Sequence, residues 1–439
     1  MTSLSASRTR TTPTPATWTP VLEGDLAVRA NVALGDLADA LLSEPTLRPD
    51  DESLADGNAG RALTLAYLSA ARPGLVAGDA VATRLERSVV ALAETPMSAS
   101  LYCGFVGVAW ARDHVMSQLA HRVSGLDDIP DPGEVVDLAL AEHLSRETWP
   151  HHHDLVEGLV GFGAHALSRL PRESAFSCLR SMLGHLETLA VEHGDGLAWF
   201  TSNDLVPSEH AVANGGTYCV GVAHGVAGIA ALLSALVRAD IERDRALVLL
   251  DGAVSWLLAR KLEDDADAVF PYDMGDGRDE LPARLAWCHG ELGISVVLLQ
   301  AARATGRQDW ELEARVIARR AAARTRESSG VEDAALCHGA SGIGHVFNRL
   351  WHATGDDVMA DAARRWFELA LDMQHPGTGV AGYRAWDRGD DGRLAWHDDS
   401  GFLNGASGIA LALLAATTSI APAWDAILLL SSPCAEATS

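Results

Sequence analysis

A pair of glycines spaced Gly-x-x-Gly, each time followed by an apolar run, recurs seven times along the chain. The leading glycines are Gly57, Gly104, Gly158, Gly225, Gly290, Gly339 and Gly405, at intervals of 47 to 67 residues. A signature at this period marks a repeat architecture, in which each unit buries its apolar face against its neighbours. The segments that follow, such as Gly228-Ile229-Ala230-Ala231-Leu232-Leu233 and Gly408-Ile409-Ala410-Leu411-Ala412-Leu413-Leu414, are apolar on nearly every side. Helices of that kind are buried helices. Between them, residues 80–93, 244–261, 311–324 and 358–373 carry Arg and Glu at amphipathic spacing and read as outer helices with one wet face. Each unit is therefore expected to be an outer helix, a loop and a buried inner helix. The glycines would sit at the inner helix starts, where backbones crowd and N–H groups lack intrahelical partners. Closing seven such hairpins gives an all-α fold: an α/α toroid, or barrel, of seven inner and seven outer helices. The alternative is an open solenoid, but solenoids need polar capping repeats. The first and last repeats here are as apolar as the middle ones, which favours closure.

Composition narrows the partners. Of 439 residues, 48% are hydrophobic, enough for a sizeable core, and the formal net charge is −25. An acidic surface of that size repels phosphate backbones and anionic lipid, so nucleic acid is not an expected partner. No run of about 18 apolar residues offers a membrane span. Residues 1–20 are rich in Ser, Thr and Pro and read as a flexible tail without a signal-peptide core. The toroid is expected to be a single domain over 21–430, with a second tail at 431–439. Six cysteines make no disulfide framework, and the expected compartment is the reducing cytoplasm.

If the glycines mark equivalent positions, the residues before them all face one end of the ring. Those residues are Trp287-Cys288-His289, Leu336-Cys337-His338 and Ala223-His224, with Asp154 four residues before Gly158 and behind His151-His152-His153. Cysteines and histidines converging on one mouth point to zinc. Cys288, Cys337 and His338 would supply three ligands and leave the fourth tetrahedral position open, the pattern of a catalytic site. Two thiolates and one imidazole would suit a substrate sulfur better than an activated water. The competing reading is a pair of ordinary buried cysteines. His289 would either complete the ligand shell or line the pocket, and His151–His153 would form either a solvated loop or part of the site. Cys103, Cys178, Cys219 and Cys434 read as small apolar fillers or tail residues.

Together these motifs resemble the lanthionine synthetase C-like (LanC) family of lanthipeptide cyclases. The resemblance runs from about Ser53 to Leu414. It rests on Trp-Cys-x-Gly at 287–290, Cys-His-Gly at 337–339, Ala-His-Gly-x-x-Gly at 223–228 and Phe-Leu-Asn-Gly-x-x-Gly-Ile-Ala at 402–410. It implies the toroid, one Zn²⁺ on Cys288, Cys337 and His338, a catalytic histidine at His224 with Asp154 as its acidic partner, and an arginine at Arg284. His289 stands where many members carry tyrosine, and an imidazole there could donate similarly. Phe200–Gly221 is shorter than the loop common in the family, and Asn214-Gly215-Gly216 matches its approach to the histidine only loosely.

The implied reaction is intramolecular Michael addition. A cysteine of a dehydrated precursor peptide attacks dehydroalanine or dehydrobutyrine in the same peptide, giving a lanthionine or methyllanthionine ring. The resemblance makes His224, oriented by Asp154, the proton-transfer group. Arg284 would hold the Asp154 carboxylate ionised or steady the enolate oxygen. With no room for a dehydratase in 439 residues, a separate dehydratase is the expected partner. Two alternatives share the zinc site: addition of glutathione or another external thiol to dehydrated residues, and a non-catalytic zinc-stabilised scaffold within a peptide-modification complex.

Overall fold

The computed structural model describes residues 18–43, 51–206, 212, 215–263, 267–275, 281–388 and 392–431. Cys434, Asn214 and most of both expected tails lie outside the described residues. The helices run in chain order from α1 (Gly24–Ser43), whose buried stripe is Ala30, Ala33, Leu34, Leu37, Ala38 and Leu41. There follow α2 (Asn58–Ala71), α3 (Gly78–Glu94), α4 (Phe105–Gln118), α5 (Gly133–Leu144), α6 (Leu159–Ser168) and α7 (Glu173–Leu189). After them come α8 (Val226–Arg238), α9 (Arg243–Leu258), α10 (Glu291–Thr305), α11 (Gln308–Ala323), the short α12 (Arg326–Ser329), α13 (Ala340–Thr354), α14 (Asp357–Asp372) and α15 (Ala406–Thr417). In every repeat an inner helix begins at the residue after the leading glycine.

The inner helices α2, α4, α6, α8, α10, α13 and α15 each pack on the next, and α15 packs back on α2, so the ring is closed. The fold is an α/α toroid. Its hairpins differ from the expected unit in one respect: the outer helices α3, α7, α9, α11 and α14 pack chiefly on the inner helix before them, while α5, reached by a longer link, packs chiefly on α7. The reason is connection length. Two residues join α10 to α11 and two join α13 to α14, and short links hold antiparallel neighbours together. The first outer helix, α1, is thereby left without a preceding inner helix and packs on α15. N- and C-terminal elements thus share the seventh hairpin. Trp18 strengthens this joint from inside the stretch read as a tail: its Nε1–H donates to Ala415 O (2.8 Å) and its ring stacks on His352 at 3.8 Å.

The repeat signature has a specific structural cause. In six of the seven repeats the lead-in loop folds back across the first turn of its own helix, and its carbonyls accept from the helix N–H groups. Examples are Asn58 N–H to Asp51 O (3.0 Å), Gly161 N–H to Asp154 O (3.2 Å), Ala340 N–H to Asp333 O (2.9 Å) and Gly342 N–H to Ala335 O (3.1 Å). The donors expected to lack partners are therefore capped by backbone seven residues upstream. The second glycine allows this approach. A Cβ on Gly60, Gly107, Gly161, Gly228, Gly293, Gly342 or Gly408 would lie within 2.5 Å of the carbonyl oxygen six residues earlier.

The lead-in loops also bond to one another around the mouth. Ala55 N–H donates to Tyr102 O (2.8 Å), Tyr102 N–H to Val156 O (3.4 Å), Leu155 N–H to Ala223 O (3.1 Å) and Val222 N–H to Cys288 O (2.8 Å). Cys337 N–H donates to Leu403 O (2.9 Å), and Phe402 N–H to Ala55 O (2.6 Å). The belt joins six of the seven neighbouring pairs. Among the described residues, the backbone bonds of Cys288 and Cys337 link each to its other neighbour and not to each other's loop.

Three small antiparallel ribbons, not foreseen from the sequence, sit in the long lead-in segments. They are β1 (Ala190–His193) with β2 (Gly196–Trp199), β3 (Thr201–Ser202) with β4 (Gly216–Cys219) and β5 (Asp273–Met274), and β6 (Ala385–Arg388) with β7 (Leu394–His397). A 3₁₀ segment, Ala423–Leu428, fills the middle of the ring. Tyr102 Oη–H donates to Ile427 O (3.0 Å) and Trp287 Nε1–H to Leu428 O (2.8 Å), from different sides of the toroid. No described helix is long and apolar enough to cross a membrane.

Candidate active site

The unbonded junction of the belt is where the three expected ligands meet. Cys288 ends the fifth lead-in loop, and Cys337 and His338 end the sixth. Their ligand atoms all lie within 4.8 Å of one another. Ligands around a tetrahedral zinc stand roughly 3.3–3.8 Å apart for bonds of 2.0–2.3 Å, so a small contraction would place all three on one ion. The donor set, two sulfurs and one imidazole, is the soft set that zinc takes. Cys288 is pushed well below the ordinary thiol range, first by a hydrogen bond from the Cys337 thiol, against burial, with the charge of His289 assisting. The pair thus favours one thiolate, on Cys288, while that hydrogen bond and burial push the Cys337 thiol well above its ordinary range. Asp333, buried, accepts from Ala335 N–H (3.0 Å) and Trp386 N–H (2.8 Å) and lies within electrostatic reach of His338. A carboxylate there steadies a ligating imidazole.

A second group stands beside it. His224 Nδ1–H donates to Asp154 Oδ2 at 2.6 Å. Asp154 is 3% exposed, and its other oxygen accepts from Glu157 N–H at 2.7 Å. Burial alone would raise the Asp154 carboxyl, but the His224 charge and hydrogen bond hold it below the usual range. In turn, burial works against charge on His224, and the Asp154 carboxylate outweighs it, so the imidazole is raised. The His224 side chain is 48% exposed against 4% for Asp154. One ring edge is tied down and Nε2 is left to face the cavity.

That cavity, of about 150 Å³, is lined by His152, Asp154, Cys219, His224, Tyr272 and His289 among others. His289 lies beside His224, ring centroids 6.2 Å apart, stacks on Tyr272 at 4.1 Å and 13°, and sets Nε2 at 3.6 Å from Cys219 Sγ. It lines the pocket, outside the three-ligand cluster. Arg284 lies on the thiol side: its guanidinium is 5.9 Å from the Tyr272 ring. Burial opposes its charge, while Tyr272, Cys288 and Cys337 support it. Arg284 is thus placed to act on charge at the sulfur end.

The remaining expectations divide. His152 lines the cavity, with Nδ1 3.9 Å from Asp154 Oδ2. His153 is buried and pushed down to about 4 by that burial. His151 stacks on His143 at 5.2 Å and is not part of the three-ligand cluster. Cys178 is a core filler, raised to about 12 by burial. Cys103 is exposed and not a filler, and Cys219 belongs to the site. Tyr272 and Cys219 were missed because neither precedes a repeat glycine. They arrive on β4 and beside β5, and only strand pairing brings them to the mouth.

A family model for lanthionine synthetase C-like proteins matches residues 48–429. The nisin biosynthesis protein NisC of Lactococcus lactis subsp. lactis is 25% identical over 271 residues, 58% of this chain and 63% of that protein. The chain therefore aligns with less than two thirds of that relative's length. Among solved structures, a nisin cyclase superposes with a TM-score of 0.69 at 20% identity, covering 93% of this chain and 98% of its own.

Proposed function

The chain belongs to the lanthionine synthetase C-like family, and we propose that it is a zinc-dependent lanthipeptide cyclase whose working unit spans residues 21–430. It would act in the cytoplasm on a precursor peptide already dehydrated by a separate enzyme. The observation that carries the reading is the meeting, at one mouth, of a three-ligand sulfur–imidazole cluster with an independent His224–Asp154 pair. A scaffold needs the first and has no use for the second.

Zinc held by Cys288, Cys337 and His338 would supply a Lewis acid with an open position, lowering the pKa of a substrate thiol. The chain's own groups do the rest. A substrate cysteine sulfur bonds to Cβ of a dehydroalanine or dehydrobutyrine, and the π electrons move to the carbonyl oxygen as an enolate. Arg284, charged and beside the sulfur end, stabilises that oxygen. His224 carries a proton on Nε2 because Asp154 supports its charge, and passes it to Cα. The thiol proton, released as the sulfur bonds to Cβ, replaces the one His224 gives up, so the product is isomeric with the substrate and atoms and charge balance.

The test is thiol consumption. Zinc-loaded protein is mixed with a dehydrated, cysteine-containing precursor peptide without added thiol, then treated with N-ethylmaleimide and weighed. Fewer adducts on an unchanged peptide mass, abolished by Cys337→Ala, support cyclisation. Full alkylation of a competent peptide refutes it, and a gain equal to an added thiol would favour external-thiol addition.

A further inference from the structure

In and beside the cavity, three polar groups already have assignments: His224–Asp154 in its wall, and the ligand cluster and Arg284 next to it. Tyr272 has none, yet it is held on several sides. Its N–H donates to Leu281 O (3.0 Å), next to the Pro271–Pro282 bridge. On its other side Asp273 pairs with Cys219 and Met274 with Tyr218 in the β4–β5 ladder. Its ring is stacked on His289 at 4.1 Å, with the Arg284 guanidinium 5.9 Å from the centroid. A side chain fixed from the backbone on both sides and from one ring face has lost the freedom that a donor would otherwise give up on reaction.

We propose that Tyr272 is a further catalytic residue, whose phenol donates a hydrogen bond to the substrate carbonyl oxygen as the enolate forms, paired with Arg284. This rests on the cyclase reading above. The geometry favours Tyr272 over the other candidate donor in this wall. His289 directs Nε2 at the Cys219 sulfur, and its ring face is covered, whereas Tyr272 is half-buried and lines the cavity shared with His224. Burial raises the Tyr272 phenol above its ordinary range, against the opposing charge of His289, so it holds its proton at neutral pH and can donate. A neutral phenol and a guanidinium on one oxygen would form a two-donor oxyanion site. His224 remains responsible for the proton that ends on Cα.

Packing and donation are separable here. Tyr272→Phe keeps the stack on His289 and deletes only the hydroxyl, while Tyr272→Ala deletes both. Zinc-loaded full-length variants are assayed on a synthetic peptide carrying one cysteine and one dehydroalanine, with zinc content measured alongside. The expected result is that Tyr272→Phe loses about 10²-fold in kcat, the scale for one oxyanion donor. KM and zinc content stay unchanged, and Tyr272→Ala does no better. If Tyr272→Phe stays within threefold of wild type while Tyr272→Ala is slow, the side chain only packs and the proposal is overturned. A wild-type protein that closes no ring removes the cyclase reading and this proposal together, which keeps the two failures distinct.

Discussion

Gly342→Ala should cost zinc affinity out of proportion to its size. Gly342 lies in the first turn of α13, and a Cβ there would stand 1.8 Å from Leu336 O and 2.6 Å from Leu336 C. Both atoms are backbone, so no side-chain rotation relieves the clash. The loop must move, and the next two residues of that loop are Cys337 and His338. Overpacking of this kind costs about 1–3 kcal/mol, and the rigid target argues for the upper part. Alanine returns about 1 kcal/mol as a better helix former than glycine, leaving a net strain of roughly 1–2 kcal/mol. If the metal-bound form demands the loop position that the strain opposes, affinity falls about 5- to 30-fold at 1.4 kcal/mol per decade. The control is Gly344→Ala in the same helix, whose Cβ would meet the Phe367 ring first, at 3.0–3.1 Å, and not backbone. Competition against a chromophoric chelator reads both affinities. A Gly342→Ala protein that binds zinc within twofold of wild type would refute the claim that the repeat glycine exists to let the lead-in carbonyl cross the helix.

Three further outcomes follow from the same geometry. The Asp154 carboxylate raises His224, so a rate carried by the imidazolium should hold at low pH and fall as pH rises through the raised value. In Asp154→Asn that fall should move to lower pH, and an unmoved alkaline limb in the pH–rate profile would count against the pairing. The pair's stabilising effect has the same sign, being present below the unfolded histidine value of about 6.5 and lost as pH rises through the folded one. Chelation of the metal should loosen the belt where Cys288 and Cys337 lack a backbone bond to each other's loop. Hydrogen exchange should quicken at residues 285–289 and 335–339 and stay slow at Leu155, whose N–H is bonded to Ala223 O. Asp425 is fully buried and accepts from Arg349 Nη2 (2.7 Å) and Ser431 Oγ (2.7 Å), with His345 Nε2 at 2.8 Å. Asp425→Ala strands these groups and should destabilise the ring by about 3–5 kcal/mol in denaturant unfolding.

The sequence by itself determined the helices and their order. Each inner helix starts one residue past its glycine, and the outer stretches read at 311–324 and 358–373 correspond to Gln308–Ala323 and Asp357–Asp372. That much is legible because helix period and apolar run are local properties of the chain. Repeat equivalence added one long-range fact: residues before equivalent glycines share a mouth, which placed Cys288, Cys337, His338, His224 and Asp154 together. Tertiary structure alone decided the rest. The pairing of α1 with α15 depends on which connection is short, not on any motif in either helix. Arg284 comes within electrostatic reach of Cys288 and of Cys337 from the next repeat, a proximity without a sequence signal. Tyr272 and Cys219 enter the site through the cross-strand pairing Cys219–Asp273, 54 residues apart in a chain whose two-residue strands are too short to show period-two patterning. Local sequence encodes which surfaces are apolar. Which surfaces meet is settled by closing the ring, where each contact depends on all the others being made.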